Sequence, residues 1–276
     1  NVEGEFSELI KRVSKNREFL EEAEKIKAEV IINMLRPFIL KSISMIALWL
    51  EDGKIEKKEV EELLAKYGVN IKVDFETINI DNYSCPYCGA SDRERLFAMY
   101  IDKVDLKNAK ILHFAPEKPL LSYIKQHVPY KEYRTADYLM NDVDEKIDIM
   151  NMVNHGDGTI DFFICSHVLE HVENDNKAIA ELHRILKKGG SGILMVPIAM
   201  NIRNISEDNR VVDPKERLKY FGQEDHVRLY SKKGFLERVS SVGFDVRQFG
   251  VKSFGKSLFR KSAIMDESVL YIVTKK

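Results

Sequence analysis

The chain has 276 residues, 44% of them hydrophobic and 32% charged, with a formal net charge of -1. Such a chain is globular with a real core, and it is longer than one ordinary domain requires but shorter than two large ones. The near-zero charge excludes a protein that coats nucleic acid along its whole surface. Three cysteines make no disulfide framework, so a reducing cytoplasm is the expected compartment.

The first part is helical in pattern. The start, Asn1-Val-Glu-Gly-Glu5, lacks the basic stretch and apolar core of a signal peptide. Phe6, Leu9, Ile10 and Val13, then Leu20, Ala23, Ile26 and Val30, fall at helical spacing, and Pro37 ends or kinks that helix. The run Phe38–Leu50 is strongly apolar, too short for a membrane span, and carries Lys41. It reads as a helix buried on most of its surface, with no membrane association. Asp52-Gly53 is a turn, Lys57–Tyr67 a short helix closed by Gly68, and residues 69–84 an extended or irregular linker. Two regions are expected: 1–82, helical with a linker, and 83–276, the main domain.

Cys85-Pro-Tyr-Cys88 has the spacing of half a zinc knuckle, but two further ligands are lacking. A tight turn entering a helix over Ser91–Asp102 is expected there, and no metal site. Arg93 and Arg95 on that helix are within reach of an anionic group or are solvated.

From Lys110 onward, short apolar runs alternate with helical ones. Lys110–Phe114 reads as a first strand, Pro119–His127 as a helix with proline in its first turn, Glu132–Ala136 as a second strand and Lys146–Met150 as a short third. Asp161–Cys165 is a fourth strand ending in a polar turn. Glu181–Gly190 ends a helix, with Gly189 and Gly190 supplying the positive φ that a C-cap favours. Gly192–Pro197 is a fifth strand, and Phe244–Gly250 and Val269–Thr274 close the chain. Strand, helix, strand without alternation is a parallel βαβ unit. Repeated, it implies an α/β fold, a doubly wound and mostly parallel sheet covered on both faces.

Two phrases carry more specific information. Asp161-Phe-Phe-Ile-Cys-Ser-His-Val-Leu-Glu-His-Val172 and Arg184-Ile-Leu-Lys-Lys-Gly-Gly190 stand in the order and at the distance found in class I S-adenosylmethionine-dependent methyltransferases, and the chain resembles that family. The resemblance implies a seven-stranded Rossmann-like sheet with an antiparallel last strand, here preceded by an N-terminal helical extension. It implies S-adenosyl-L-methionine as cofactor and methyl transfer as activity. Most members carry a glycine-rich turn after the first strand. This chain reads His113-Phe-Ala-Pro-Glu117 instead, similar to a subset of methyltransferase-like sequences with H-F-A-P-E there. A nicotinamide cofactor is not expected, because the G-x-G-x-x-G turn is absent.

Ligands in open α/β sheets bind beyond the carboxyl ends of the strands. The expected cofactor residues are therefore Phe114, Ala115 and Glu117 after the first strand, and Asp137 and Tyr138 after the second. Asp148 and Ile149 lie in the third strand, and Ser166 and His167 follow the fourth. Glu117 meets the cofactor's ammonium or caps a helix. Asp137 accepts from the ribose hydroxyls or holds a turn. Asp148 matches the family position for the adenine amino group, with Asp142 and Asp144 as competitors.

Methyl transfer requires an aligned acceptor and, for a hydroxyl or amine, a proton acceptor. His167 and His171 follow the fourth strand, and His167, nearer the expected cofactor edge, is a candidate base. The preferred base is His226, in Phe221-Gly-Gln-Glu-Asp-His-Val-Arg-Leu-Tyr230, which ends a long polar insertion over Ala199–Tyr220. Gln223, Glu224, Asp225 and Arg228 are expected to bind the acceptor, although Asp225 or Ser231 also suits the N-cap of the next helix. Lys256 and Arg260, in the basic run Val251–Lys261, are expected to attract an anionic acceptor. The expected acceptor is small: a sugar, a nucleotide-linked sugar or a phosphate-bearing metabolite, methylated on O or N, as in surface-glycan modification. The alternatives are a catalytically inactive methyltransferase-like binding module and an RNA or protein methyltransferase, with nucleic acid disfavoured by the charge. Ile43, Ile46, Trp49 and Leu50 need burial, over the acceptor pocket or in a homodimer contact.

Overall fold

The computed structural model describes residues 75–79 and 82–276. The chain divides between Leu63 and Leu64 into two compact units, and every described residue belongs to the second. The helices expected within residues 1–67 lie outside the described residues. Among the described residues no helix is long and apolar enough to cross a membrane.

The strands are β1 (Lys110–Phe114), β2 (Glu132–Asp137), β3 (Glu145–Lys146), β4 (Ile160–Ser166), β5 (Leu186–Met195), β6 (Ser206–Glu207), β7 (Arg228–Leu229), β8 (Phe244–Phe249) and β9 (Leu270–Lys275). The helices are α1 (Asp92–Ile101), α2 (Lys118–His127), α3 (Asp175–Ile185), α4 (Pro214–Phe221), α5 (Lys232–Ser241), α6 (Val251–Phe254) and α7 (Lys256–Lys261). Seven strands form one sheet in the order β3-β2-β1-β4-β5-β9-β8. All pairs are parallel except those of β9, which runs antiparallel between β5 and β8. The chain steps outward from β1 to β3 and then returns to lay β4 on β1's other side. The crevice at this switch, beyond the carboxyl ends of β1 and β4, is where such a sheet receives a ligand. Ile111, Leu112, Phe114, Phe162, Phe163, Ile164 and Cys165 are all buried, as strands covered on both faces require.

Two strand expectations need correction. The third strand is only Glu145–Lys146, paired with Ala136 and Asp137, and the chain leaves the sheet before Ile147. Asp144, just before the strand, ties its start to β2 by accepting from Thr135 N–H (2.8 Å) and Thr135 Oγ1 (2.9 Å), and the Ile147 N–H donates to Asp137 O (3.1 Å) at its other end. Gly189 and Gly190 do not cap α3, which ends at Ile185 and passes directly into β5. Leu186 pairs with Ile160 and Ser191 with Phe162, so Lys187–Gly190 bulge from the sheet. Gly189 takes φ +77° in that bulge. Gly192 follows where a Cβ would lie 2.7 Å from the Phe163 ring.

The polar insertion after β5 is likewise no loop. The hairpin β6–β7 and α4 give it structure, with Ala199, Phe221 and Leu229 as a small core joined by Phe75, Ile202 and Val211. Ser231, not Asp225, is the N-cap of α5. Residues 75–79, read as linker, are packed across the carboxyl end of β5 and the start of β9. Glu76 is 4% exposed; its N–H donates to Ile198 O (3.0 Å), and its carboxylate accepts from Tyr271 OH (2.5 Å) and Lys232 Nζ (2.6 Å).

Asp161 provides a pH test of the fold. Burial raises its carboxyl's pKa, but Lys187 Nζ (2.6 Å) and the Lys110 N–H (2.9 Å) outweigh burial and hold it below the ordinary carboxylate value. A depressed native pKa stabilises the fold above the unfolded value, near 4. As pH falls through that value the unfolded chain takes up the proton first, and the contribution is gone below the native pKa. The Asp161→Asn variant is expected to show a shallower loss of stability between about pH 5 and pH 2 than the parent, read by urea titration at each pH.

Candidate functional site

Two helix starts frame the crevice. Ser91 and Glu94 form a capping box at the head of α1, with Ser91 N–H to Glu94 Oε2 at 2.7 Å and Glu94 N–H to Ser91 Oγ at 3.3 Å. Glu94 Oε1 also accepts the Leu120 N–H (3.1 Å), which ties the first turn of α2 to the first turn of α1. Arg93 is thereby held against the turn after β1. Its guanidinium donates to Glu117 Oε1 (3.0 Å) and Tyr83 OH (3.2 Å). Fully buried His113 joins from β1, its Nδ1 2.7 Å from Tyr133 OH and its Nε2 3.7 Å from Glu117 Oε2. Burial pushes the Glu117 carboxyl up, but His113 and Arg93 outweigh it and keep Glu117 below its ordinary value.

The turns after β1 and β4 are both strained. Ala115 has φ +46° and His167 φ +55°, in the left-handed region that disfavours any side chain by about 1–2 kcal/mol. Ala115 thus takes the conformation that glycine would take without strain. Strain of this kind at a strand end is held by its surroundings and marks functional turns.

Buried side-chain atoms without a hydrogen-bond partner gather at these turns: Arg93 Nε, His113 Nε2, Glu117 Oε2, Ser166 Oγ and both carboxylate oxygens of Glu170. Native proteins rarely leave such atoms unmet unless something else meets them. The Glu117 carboxylate and the Arg93 guanidinium suit a ligand that carries both a cation and a carboxylate. Asp137 closes β2 with Oδ1 accepting from the Leu139 and Met140 N–H groups (both 2.6 Å), while Oδ2 has no hydrogen bond among the described residues. Tyr138 and Leu139 beside it are 71% and 79% exposed, an apolar flank beyond the strand ends. These features fit S-adenosylmethionine, with its ammonium, sulfonium, carboxylate and ribose diol.

A second cluster lies beyond β4. Glu170 is fully buried, with His167 Nδ1 at 3.6 Å and His171 Nε2 at 4.0 Å from its Oε1. His171 Nδ1 pairs with Asp225 Oδ2 (3.2 Å), and the His171 and His226 rings meet edge to face at 4.7 Å. Burial pushes the Glu170 carboxyl up to about 7. Burial and the neighbouring charges hold His167 well below its ordinary value, and burial with the charge of His171 takes His226 down to about 4. Arg228 fastens the loop from β7, donating through Nη1 to Leu169 O and Val172 O (2.6 Å each) and through Nη2 to Glu173 O (2.9 Å).

The expected site residues are thus not all in one place. Glu117, Ser166 and His167 lie at the switch crevice, and Asp137 at the end of β2. Phe114 and Ile149 are core residues, 3% and 5% exposed, so their side chains offer a ligand no surface. Asp148 Oδ1 accepts the Met150 N–H (2.8 Å) in a turn. Arg228 is 3% exposed and spent on backbone carbonyls and on Glu207, so it is a loop clamp rather than an acceptor ligand. His226 is 2% exposed and its Nδ1 bonds Phe221 O (3.1 Å), so its ring offers an acceptor little surface. Gln223 and Glu224 are half-buried and Asp225 is exposed. Lys256, with a side chain 79% exposed, and Arg260 lie on α7, and the residues that follow it, Ser262 and Ala263, accept from the Arg95 guanidinium on α1 (2.7 and 3.1 Å). His113, Tyr133 and Glu170 were missed as site residues. His113 and Glu170 stand inside the two quoted motifs, but nothing in sequence spacing signals their burial.

An open, mostly parallel sheet with a charged crevice at its switch point defines a Rossmann-like ligand-binding domain. A profile of the family described as "Methyltransferase domain" matches residues 97–194. Over that segment the chain resembles methyltransferase domains, and its sheet order with antiparallel β9 is the one that the resemblance implies. No curated protein is similar to it by sequence comparison. Among solved structures it is similar to an S-adenosylmethionine-dependent methyltransferase from Archaeoglobus fulgidus, at 11% identity, TM-score 0.43, over 68% of this chain and 95% of that one. A Mesorhizobium loti S-adenosylmethionine-dependent methyltransferase gives 13%, 0.42, 65% and 97%. The Haemonchus contortus phosphoethanolamine N-methyltransferase 2, in complex with phosphomonomethylethanolamine and S-adenosylhomocysteine, gives 11%, 0.42, 66% and 53%.

Proposed function

We propose that the chain methylates an O or N atom of a small anionic acceptor, and that a nucleotide-linked sugar, as in surface-glycan modification, is the acceptor class that best suits it. When bound, S-adenosylmethionine supplies a methyl group on a cationic sulfonium. Glu117 Oε2 would hold its ammonium, Arg93 Nε its carboxylate and Asp137 Oδ2 its ribose hydroxyls, with Tyr138 flanking. The unmet polar atoms at the ends of β1 and β4 carry this assignment. His167 closes β4 with a ring that is 20% exposed and directed back to Glu170, and it is proposed to take the acceptor's proton in place of His226. Asp225 and Gln223 line the acceptor side. The domain is taken as residues 83–276.

Titration of the full chain with S-adenosylhomocysteine tests the cofactor site. Asp137→Ala is expected to weaken binding by roughly 1.5–3 kcal/mol, the size of a lost hydrogen bond to a charged group. No heat and no thermal shift with the parent protein would refute the assignment. Once an acceptor screen yields turnover, His167→Ala is expected to lower kcat by about 10²-fold and to leave S-adenosylhomocysteine affinity unchanged. Unchanged kcat would remove His167 from the chemistry.

A further inference from the structure

Glu170 poses a problem that the cofactor does not solve. It is fully buried, and neither carboxylate oxygen has a hydrogen-bond partner. A buried ionised group without partners costs several kcal/mol unless a counter-charge meets it. Nearby side chains are not cations held against it by direct bonds. They are imidazoles that stop short, with His167 Nδ1 at 3.6 Å and His171 Nε2 at 4.0 Å. One Glu170 oxygen and one ring nitrogen each of His171 and His226 all lie within 4.8 Å of one another.

The two imidazoles are also set up from behind. His226 Nδ1 donates to Phe221 O (3.1 Å), which leaves the Nε2 lone pair free. His171 Nδ1 donates to Asp225 Oδ2 (3.2 Å), which turns Nε2 toward Glu170. A ligating histidine shows this same arrangement, one nitrogen on the ion and the other on a carboxylate or backbone carbonyl. Arg228 fixes the backbone of the loop through Leu169, Val172 and Glu173, so two of the three groups stand on a braced segment.

We propose that Glu170, His171 and His226 bind one divalent transition-metal cation, with zinc the best match. Two nitrogens and one carboxylate oxygen form a three-ligand set that leaves positions open, and imidazole suits zinc and its neighbours while magnesium prefers oxygen alone. Metal–ligand distances of about 2.0–2.2 Å require the three groups to draw together by roughly 1 Å. His171 is exposed, so the ion enters from solvent. His167 stands next to the set, on the acceptor side of β4. The cation therefore serves the acceptor: it holds an acceptor oxygen and makes its proton easier to remove. That role rests on the methyl-transfer reading; the binding of the ion does not.

The test uses the full chain, stripped with a chelator and dialysed against Zn²⁺ or Mg²⁺, with metal counted by mass spectrometry and affinity read by competition with a chromophoric chelator. Zn²⁺ is expected to bind at one per chain, at least 100-fold more tightly than Mg²⁺. Glu170→Gln and His226→Ala are expected to weaken Zn²⁺ at least 100-fold, and Asp225→Asn 10- to 100-fold. Cys85→Ser/Cys88→Ser is expected to stay within twofold. Asp225 is exposed, so its variant decides the matter if the buried ones fail to fold. A parent protein that retains no Zn²⁺ overturns the proposal. So does loss of Zn²⁺ in the cysteine variant with full retention in Asp225→Asn. S-adenosylhomocysteine titration of the same samples reports separately on the methyltransferase reading.

Discussion

Arg228→Ala is expected to destabilise the protein by about 3–5 kcal/mol, the range for removing one partner of a buried charged network. The guanidinium is 3% exposed and makes four hydrogen bonds, to the carbonyls of Leu169, Val172 and Glu173 and to Glu207 Oε2 at 3.1 Å. Alanine leaves three backbone carbonyls without their donor and opens a cavity between the hairpin and the loop after β4. Asp175 is less affected, because Arg238 Nη1 (2.7 Å) and Tyr230 OH still reach it. Arg228→Lys is expected to recover only part of the loss, since a point ammonium cannot span the carbonyls that a planar fork serves. Urea denaturation read by circular dichroism measures both. A loss under 1 kcal/mol for the alanine variant would show that the loop holds its own shape. Because the loop carries Glu170 and His171, the same variant is expected to disorder the histidine cluster before it touches the ends of β1 and β2.

Arg93→Ala is expected to have the second large effect, again about 3–5 kcal/mol of stability, with a loss of cofactor affinity besides. Arg93 and Glu117 are paired at 3.0 Å with side chains 16% and 21% exposed, and removing the guanidinium leaves Glu117 with only His113 at 3.7 Å. Much of the expected loss is the cost of that uncompensated carboxylate rather than the worth of the pair. Arg93→Met/Glu117→Gln removes both charges and keeps the volume, and it is expected to regain most of the stability. It is not expected to regain S-adenosylhomocysteine binding, because the groups assigned to the ligand's carboxylate and ammonium are gone. Thermal melts and calorimetric titration on the three proteins separate the two effects. Recovery of binding in the double variant would mean that the pair is structural and the ligand's polar end lies elsewhere.

The parallel sheet, its flanking helices and the place of the crevice were legible in the sequence. Buried strands such as Lys110–Phe114 and Ile160–Ser166 read as mostly apolar runs without alternation, and the phrase from Asp161 to Val172 marks a strand and the turn after it. Capping was legible too, because Ser91 and Glu94 act within one turn of chain. What failed was what depends on partners distant in sequence. Gly189 and Gly190 look like a helix stop, but Leu186 is already claimed by Ile160 of the neighbouring strand, so the glycines serve a bulge. Residues 75–79 look like linker, because nothing local tells that Glu76 will meet Lys232 and Tyr271. Arg228 looks like a site residue on a polar loop, yet it is buried and bonded to the carbonyls of Leu169, Val172 and Glu173. The sequence by itself determined the strands, the helices and the family resemblance, since these follow from short-range periodicity and contiguous motifs. Only the tertiary structure decided which charged groups are neutralised by a partner and which are left unmet. Burial and pairing are set by residues 24 to 195 positions apart, and the energy of a charge depends on its surroundings, not on its place in the chain.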